Sequence, residues 1–590
     1  MQDFLNIKNV SKAYKKDRRT INVFDNLNLV VKDNCHIVSV IGPDGSGKST
    51  LLKLIASVIK PDGGTIAMKY SFSIGYMSQN LNLYQELSVY ENLELFATLN
   101  DVKESNLKAY LENLLKKVGL LSFKDYSAAS LSGGMKQKLA LCCSIASKPK
   151  VLILDEPTVG VDPISRRELW DIILSFVKEH DSYCIFSSLY LEESDISDTT
   201  ILIKNGHILL NDEAKNIKNK VKDRCFRLVV DDLSYQKLCR IFIHKTTSYI
   251  QDSPILDVCP RLGFIDILIT LNTSFDCLFA YVKKILDSLL IAKFSLIPRK
   301  PILEDAYIAL TCDHNVIKDS GAQKDDFIDN KACLDNVFKE KNYEHIINVV
   351  NVIKRFGDFV AVEKSNFYVD KGEIFGLLGP NGAGKTTTFR MICALLKPTE
   401  GEIKIAGYNL LKDKTAIRSQ IGYVAQKFCL YHNLTVNENM RYFARSYGIR
   451  GRYIDIRVNY LLDRFDLSAY KNVVANDLPF GHKRNLSMAC ALLHKPKILF
   501  LDEATSGADP TSRRKFWALI TELSLKGTSV IVTTHFMEEA EYCDRFLIQD
   551  KGKILILGKP DCICVKDGKR IGVEDTFLNV IKESRGFSAK

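Results

Sequence analysis

The stretch GPDGSGKST at residues 42–50 returns as GPNGAGKTT at residues 379–387, and this repetition decides the fold. Each copy lies between a short apolar run and a helical pattern, giving the order strand, glycine loop, helix. In Gly42-Pro43-Asp44-Gly45-Ser46-Gly47-Lys48-Ser49-Thr50 the glycines let backbone N–H groups curl around phosphate oxygens, and the helix start adds positive potential. Gly379-Pro380-Asn381-Gly382-Ala383-Gly384-Lys385-Thr386-Thr387 has the same design. Lys48 and Lys385 are placed to reach terminal phosphates of a nucleotide, and the hydroxyls of Ser49 and Thr386 to ligate a divalent cation.

Outward from these loops the repetition continues. Alternating apolar residues at 21–31 and 349–368 predict antiparallel strands ahead of each loop. VLILDEP at 151–157 and ILFLDEA at 498–504 are apolar strands ending in two acids, which puts those acids at the carboxyl edge of a parallel sheet. There Asp155 and Asp502 would hold the cation through water, and Glu156 and Glu503 would orient and deprotonate an attacking water. The spacing between copies grows by about ten residues from Lys48 and Lys385 to Gln79 and Gln426, which predicts an inserted surface turn at 408–418 in the second copy.

Between this framework and the acids stands LSGGMKQ at 131–137, which resembles the signature of the ABC ATPase family, and the resemblance covers nearly the whole chain. It implies an α/β fold with two P-loop NTPase domains of ABC nucleotide-binding type, binding ATP and Mg²⁺. It further implies that Gln79 and Gln426 reach the metal, that Asp162 and Asp509 match the loop after the acids, and that His535 is a switch histidine. Tyr14 and Phe356 fall where the family stacks a ring on adenine, with core packing as the alternative. In this family two domains pair head to tail, so Ser132, Gly133 and Gly134 would address the phosphates held by the opposite P-loop.

Two departures stand out. In the second half the signature reads Leu478-Pro479-Phe480-Gly481-His482, so a hydroxyl and an N–H are lost at Pro479 and a ring is added at Phe480. Proline suits a helix start, so the helix should form while its hold on phosphate weakens. In the first half, aligning FSSLYLEES (186–194) with VTTHFMEEA (532–540) puts Leu189 where His535 stands, and leucine cannot hydrogen-bond phosphate. Head-to-tail pairing would send both defects to one site, leaving the other, with Lys385, Glu503 and His535, complete.

The rest of the chain bounds the task. Its 590 residues, 46% hydrophobic and 26% charged, predict several folded domains: one at 1–220, a small α+β appendage at 221–312, a linker at 313–345 and a second domain at 346–590. The appendage is expected to run strand 225–230, helix 235–242, strand 264–271, helix 277–290 and strand 293–297. A charge of +11 fits a soluble basic protein, or one with an RNA or anionic-lipid partner. The sixteen scattered cysteines, with no leader ahead of them, predict free thiols in a reducing cytoplasm, and Cys562 and Cys564 lack a second pair at zinc spacing. The longest apolar stretch, 275–296, is broken by Lys283, Lys284 and Asp287, so separately encoded transmembrane permease subunits are expected as partners, with the chain peripheral on the cytoplasmic face of the membrane. Segments 80–95 and 427–442 would meet them. LEDAY at 303–307 and VEDTF at 573–577 resemble the tail of drug-exporter ATPases, whose tandem subunits have similarly altered signatures. The rival is a ribosome-associated translation factor of ABC type; it would have two intact signatures and a long charged helical linker, so no nucleic acid partner is expected.

Overall fold

The computed structural model describes residues 3–16, 19–71, 73–230, 235–247, 253–289, 291, 293–312 and 344–586. All but the last two residues of the expected linker lie outside these. The chain divides into two compact units, one of Met1–Cys225, Arg299–Cys312 and Gly507–Thr511, the other of Phe226–Pro298, Asp313–Ser506 and Ser512–Lys590.

The first unit is built on a six-stranded sheet in the order Ile74–Met77, Val151–Asp155, Tyr183–Ser187, Ile37–Ile41, Thr199–Lys204, His207–Asp212. Its first five strands are parallel and the last is antiparallel. VLILD is buried at every position, as a strand covered on both faces must be. An antiparallel layer of Arg19–Lys32, Asp3–Lys16 and Gly63–Met68 stands beside it. The second unit repeats the order with Ile421–Val424, Ile498–Asp502, Ser529–Thr533, Ile374–Leu378, Arg545–Asp550 and Lys553–Gly558.

In both sheets the strand before the glycine loop lies near the centre, so the loop and both acids emerge along one carboxyl edge. The helices Lys48–Ile55 and Lys385–Ile392 start from Gly47 and Gly384, at φ 107° and 97°. A Cβ on Gly47 would lie 2.8 Å from the Phe24 ring, so this turn needs glycine on both counts.

The segment expected as a surface turn in the second half is instead structured and packed. It forms the short strand Tyr408–Asn409 and the helix Lys414–Arg418, and Leu410 and Ile417 are buried in the core of the unit. Burial of these side chains outweighs the polar residues around them.

Residues 225–298 form strand, helix, two strands, helix, strand, with sheet order Ile255–Arg261, Phe264–Ile269, Cys225–Val230, Phe294–Pro298. This is the split βαβ arrangement. The helices Tyr235–Thr247 and Phe275–Asp287 contribute Leu238, Phe242, Leu278 and Val282 to its core. The strand Ile255–Arg261 is absent from the expected elements; Pro254 precedes it and Pro260 lies within it, and proline disfavours a strand. Among the described residues no helix is long and apolar enough to cross a membrane, and Cys142, Cys143 and Cys490 are buried free thiols.

Replacing Ile417 by Ala should remove about 2–4 kcal/mol from the second unit and lower the melting temperature of the full chain. Leu411→Ala, at an exposed neighbour, should leave it unchanged; thermal denaturation compares the two.

Candidate functional site

Each Asp-Glu pair is held by the strand beside it. In the first unit Ser187 Oγ donates to Asp155 Oδ1 at 2.8 Å and accepts from the Glu156 N–H at 2.9 Å. In the second, Thr533 Oγ1 does the same for Asp502 at 2.7 Å and Glu503 at 3.0 Å. Both glutamates take the left-handed backbone conformation, at φ 52° and 48°. That is uncommon for a side chain of this kind and clusters at functional positions.

The glycine loops face these acids. Lys48 Nζ, buried, donates to the carbonyls of Gly42 at 2.7 Å and Pro43 at 3.1 Å. Lys385 bonds Gly379 and, at 3.0 Å, Pro380. Ser49 Oγ lies 3.1 Å from Asp155 Oδ1, so hydroxyl and carboxylate converge as a hard-cation site requires. Ser46 Oγ, inside the first loop, is buried with no protein partner, an orphan that suits a phosphate oxygen. Gln79 Nε2 donates to Glu156 at 2.8 Å and Gln426 Nε2 to Glu503 at 2.5 Å, so both glutamines meet the glutamates.

The units differ at the next position. His535 Nε2 lies 2.6 Å from Glu503 Oε1, with the imidazole buried. At the matching place Leu189 is buried and offers no hydrogen bond. The electrostatic consequence is large. Burial pushes the Glu156 carboxyl up, with Lys48 opposing and Asp155 and Asp44 adding to it, to about 7. Burial acts on Glu503 too, but the hydrogen bond and charge of His535, with Lys385 and Gln426, hold it below the usual carboxylate range.

At the signatures, Ser132 caps the helix Gly133–Ile145 by accepting from the Met135 N–H at 3.4 Å. The helix Phe480–Leu492 forms without such a cap from Pro479, as a proline start allows, and the Phe480 ring is exposed with Arg484 5.1 Å from its centre. Tyr14 and Phe356 are 38% and 51% exposed, which removes the core-packing alternative. A lysine lies over each ring, Lys12 at 5.9 Å and Lys354 at 5.1 Å.

Two pairs escaped the sequence reading. Glu193 accepts from Thr158 at 2.7 Å and Ser188 at 2.5 Å, and Glu539 from Thr505 at 3.0 Å and Thr534 at 2.5 Å. Each glutamate ties the segment after the Asp-Glu pair to the segment after the neighbouring strand. The repeat itself carried the signal, since DEPT and DEAT, and EES and EEA, stand at matching positions in the two copies.

Comparison with known proteins agrees with this geometry. The family described as ABC transporter matches residues 24–159 and 362–506. A probable multidrug ABC transporter ATP-binding protein, YbhF of Escherichia coli (strain K12), is 38% identical over 537 residues, 89% of this chain and 88% of its own length. The chain belongs to the ABC transporter ATP-binding proteins. The Nod factor export ATP-binding protein I of Sinorhizobium fredii (strain NBRC 101917 / NGR234) is 37% identical over 39% of this chain and 67% of its own. The linearmycin resistance ATP-binding protein LnrL of Bacillus subtilis (strain 168) is 34% identical over 40% and 79%. As an ABC ATP-binding protein the chain is an ATPase with two P-loop domains.

The raised Glu156 carboxyl has a consequence for stability. An unfolded glutamate releases its proton near 4.5, whereas folded Glu156 keeps it to about 7. The folded state therefore binds the extra proton in this window, and stability is lost as pH rises from 4.5 through 7. The full penalty, on the order of 3 kcal/mol, is present above it. Glu156→Gln, which is never charged, should raise the melting temperature of the nucleotide-free chain at pH 8.5 and change it little at pH 5.

Proposed function

We propose that this chain powers a membrane exporter, and that its two ATP sites do unequal work: the site of Lys385, Glu503 and His535 hydrolyses ATP, while that of Lys48, Glu156 and Leu189 holds nucleotide and acts mainly as a latch. The contact of His535 with Glu503, set against Leu189 at the equivalent position, carries this reading.

An ionised Glu503 can take a proton from water as it attacks the γ-phosphate, a contribution of about 10² to 10⁴ in rate. His535, bonded to that carboxylate, is placed to hold it in register and to reach the phosphate through the same Nε2–H. At the first site the Glu156 carboxyl is only half ionised near neutral pH and has no imidazole to orient it. If each signature serves the opposite P-loop, as in the family, Pro479 and Phe480 fall to the site that already lacks the histidine. The grip there is weakened on both sides of the nucleotide.

Mg²⁺ fits the donors available. Ser49, Asp155 and Gln79 would hold it in one site and Thr386, Asp502 and Gln426 in the other, an all-oxygen set that suits a hard cation. When bound it neutralises charge on the transferred phosphoryl group. Tyr14 and Phe356 are exposed flat rings at the start of each domain, available to stack on adenine.

Coupling to a permease is supported by the segments after the two glutamines. Asn92 Nδ2 bonds the Tyr84 carbonyl at 2.9 Å, and Asn439 Nδ2 that of Tyr431 at 2.9 Å, which fixes both loops against their helices. Tyr84, Tyr431 and Tyr442 stay exposed, while Val89 and Leu93, with Val436 and Met440, bury the opposite side. A rigid loop with exposed aromatics suits docking of a partner helix. The likeness to YbhF, a probable multidrug ABC transporter ATP-binding protein, and to a Nod factor export ATP-binding protein supports export, with this chain peripheral on the cytoplasmic face and permease subunits supplied separately.

Glu503→Gln should lower ATP turnover of the full chain about 100-fold or more, and Glu156→Gln less than about fivefold; equal losses would contradict unequal roles. Purification from detergent-solubilised cells should recover a multi-span membrane protein, whereas ribosomes without one would favour the translation-factor reading.

A further inference from the structure

The split βαβ appendage leaves one sheet face uncovered by its own helices, and that face is charged. Asp257, Cys259 and Arg261 alternate along one strand and share the face with Phe264 and Asp266 of the next. Arg227 Nε bonds Asp266 at 2.9 Å and lays its guanidinium over the Phe264 ring at 3.5 Å. Arg261 Nε stands 3.8 Å from the same buried Asp266.

Within the same unit this face grips the turn Met537–Tyr542, which begins two residues after His535. Arg261 Nη1 lies 3.3 Å from Glu538 and 3.5 Å from Glu541. Asp257 meets Arg514 Nε at 3.3 Å, and Arg514 donates at 2.6 Å to the hydroxyl of Tyr542, whose ring stacks on Trp517 at 4.6 Å. A second grip falls on the strand leading into the glycine loop: Arg240 bonds Ser524 Oγ at 2.8 Å and pairs with Asp544, which accepts the Ile374 N–H at 2.9 Å.

The turn is the mechanical link between the two groups of the hydrolytic site. Its Glu539 bonds Thr505, two residues beyond Glu503, and Thr534, next to His535. Among the described residues the buried Nδ1 of the imidazole has no hydrogen-bond partner, so its polar contact is the one from Nε2 to Glu503. The place of the ring therefore depends on the backbone that continues into the turn, and the appendage holds that turn from outside.

We propose that the appendage is a positioning element for the switch histidine: Arg261 and Arg514 clamp the turn Met537–Tyr542 and so keep His535 in register with Glu503. This rests on the reading that Glu503 and His535 form the hydrolytic site. Arg261 acts through the turn, so its loss slows the chemical step and leaves ATP affinity intact. In the first unit the corresponding turn Leu191–Ile196, two residues after Leu189, is packed by the helix Leu303–Thr311.

Steady-state ATP hydrolysis by the full chain tests this with Arg261→Met, Arg261→Lys, Glu538→Gln and the double variant Arg261→Met/Glu538→Gln, beside Glu503→Gln. The expected result is a fall in kcat of about tenfold for Arg261→Met with KM for ATP unchanged. Arg261→Lys should recover most of the rate, and the double variant should be no slower than Arg261→Met, because Arg261→Met has already removed the contact with Glu538. Unchanged kcat in Arg261→Met while Glu503→Gln is inactive would overturn the positioning role alone. A raised KM at constant kcat, or additive losses in the double variant, would overturn it as well. An active Glu503→Gln would instead remove the reading of the site on which it rests. If Arg261→Met fails to fold, Glu538→Gln and Arg261→Lys decide.

Discussion

A carboxylate out of water must be paired or give up its charge, and the contact between Glu503 and His535 is how the second half of this chain meets that constraint. Everything around it serves to put a glutamate at the end of a buried parallel strand. ILFLD is apolar because helices cover both faces, and Thr533 on the neighbouring strand fixes Asp502 and the Glu503 N–H. Desolvation pushes the Glu503 carboxyl up, and His535, Lys385 and Gln426 together outweigh it.

The first half makes the same scaffold and omits that partner. Strand order and the glycine loop are repeated, and Ser187 takes the place of Thr533 with the same two bonds. The carboxyl of Glu156 then follows the desolvation it cannot offset. The opposite pull on the two carboxyls needs no difference in fold; it goes with Leu189 in place of histidine. Pro479 illustrates the same economy, since it starts a helix of thirteen residues like that after Ser132 while lacking the hydroxyl and N–H of serine.

Much of this was legible in the sequence because it is local. The glycine loops, the apolar strands ending in Asp-Glu, and the aligned leucine and histidine each lie within a dozen residues, where spacing dictates geometry. The strand Ile255–Arg261 was hidden because Pro254 and Pro260 argue against strand, yet Pro260 lies in this outer strand of the sheet, which tolerates a missing N–H. The packed insertion at 408–418 was misread because Leu410, Ala416 and Ile417 are too few to give a periodic signal. The grip of Arg261 on Glu538 and Glu541 had no signal at all: partners so far apart in the chain are brought together only by packing, and an arginine in a strand reads as solvated.

The account stands on one half turning over while the other retains its nucleotide. The direct measurement is photolabelling of the full chain with 8-azido-ATP carrying either an α- or a γ-phosphate label, allowed a single turnover, then proteolysis and separation of the two P-loop peptides. Retention of both labels on the peptide containing Lys48, with loss of only the γ label from the one containing Lys385, is the result the account predicts. Equal loss of the γ label from both peptides would contradict it.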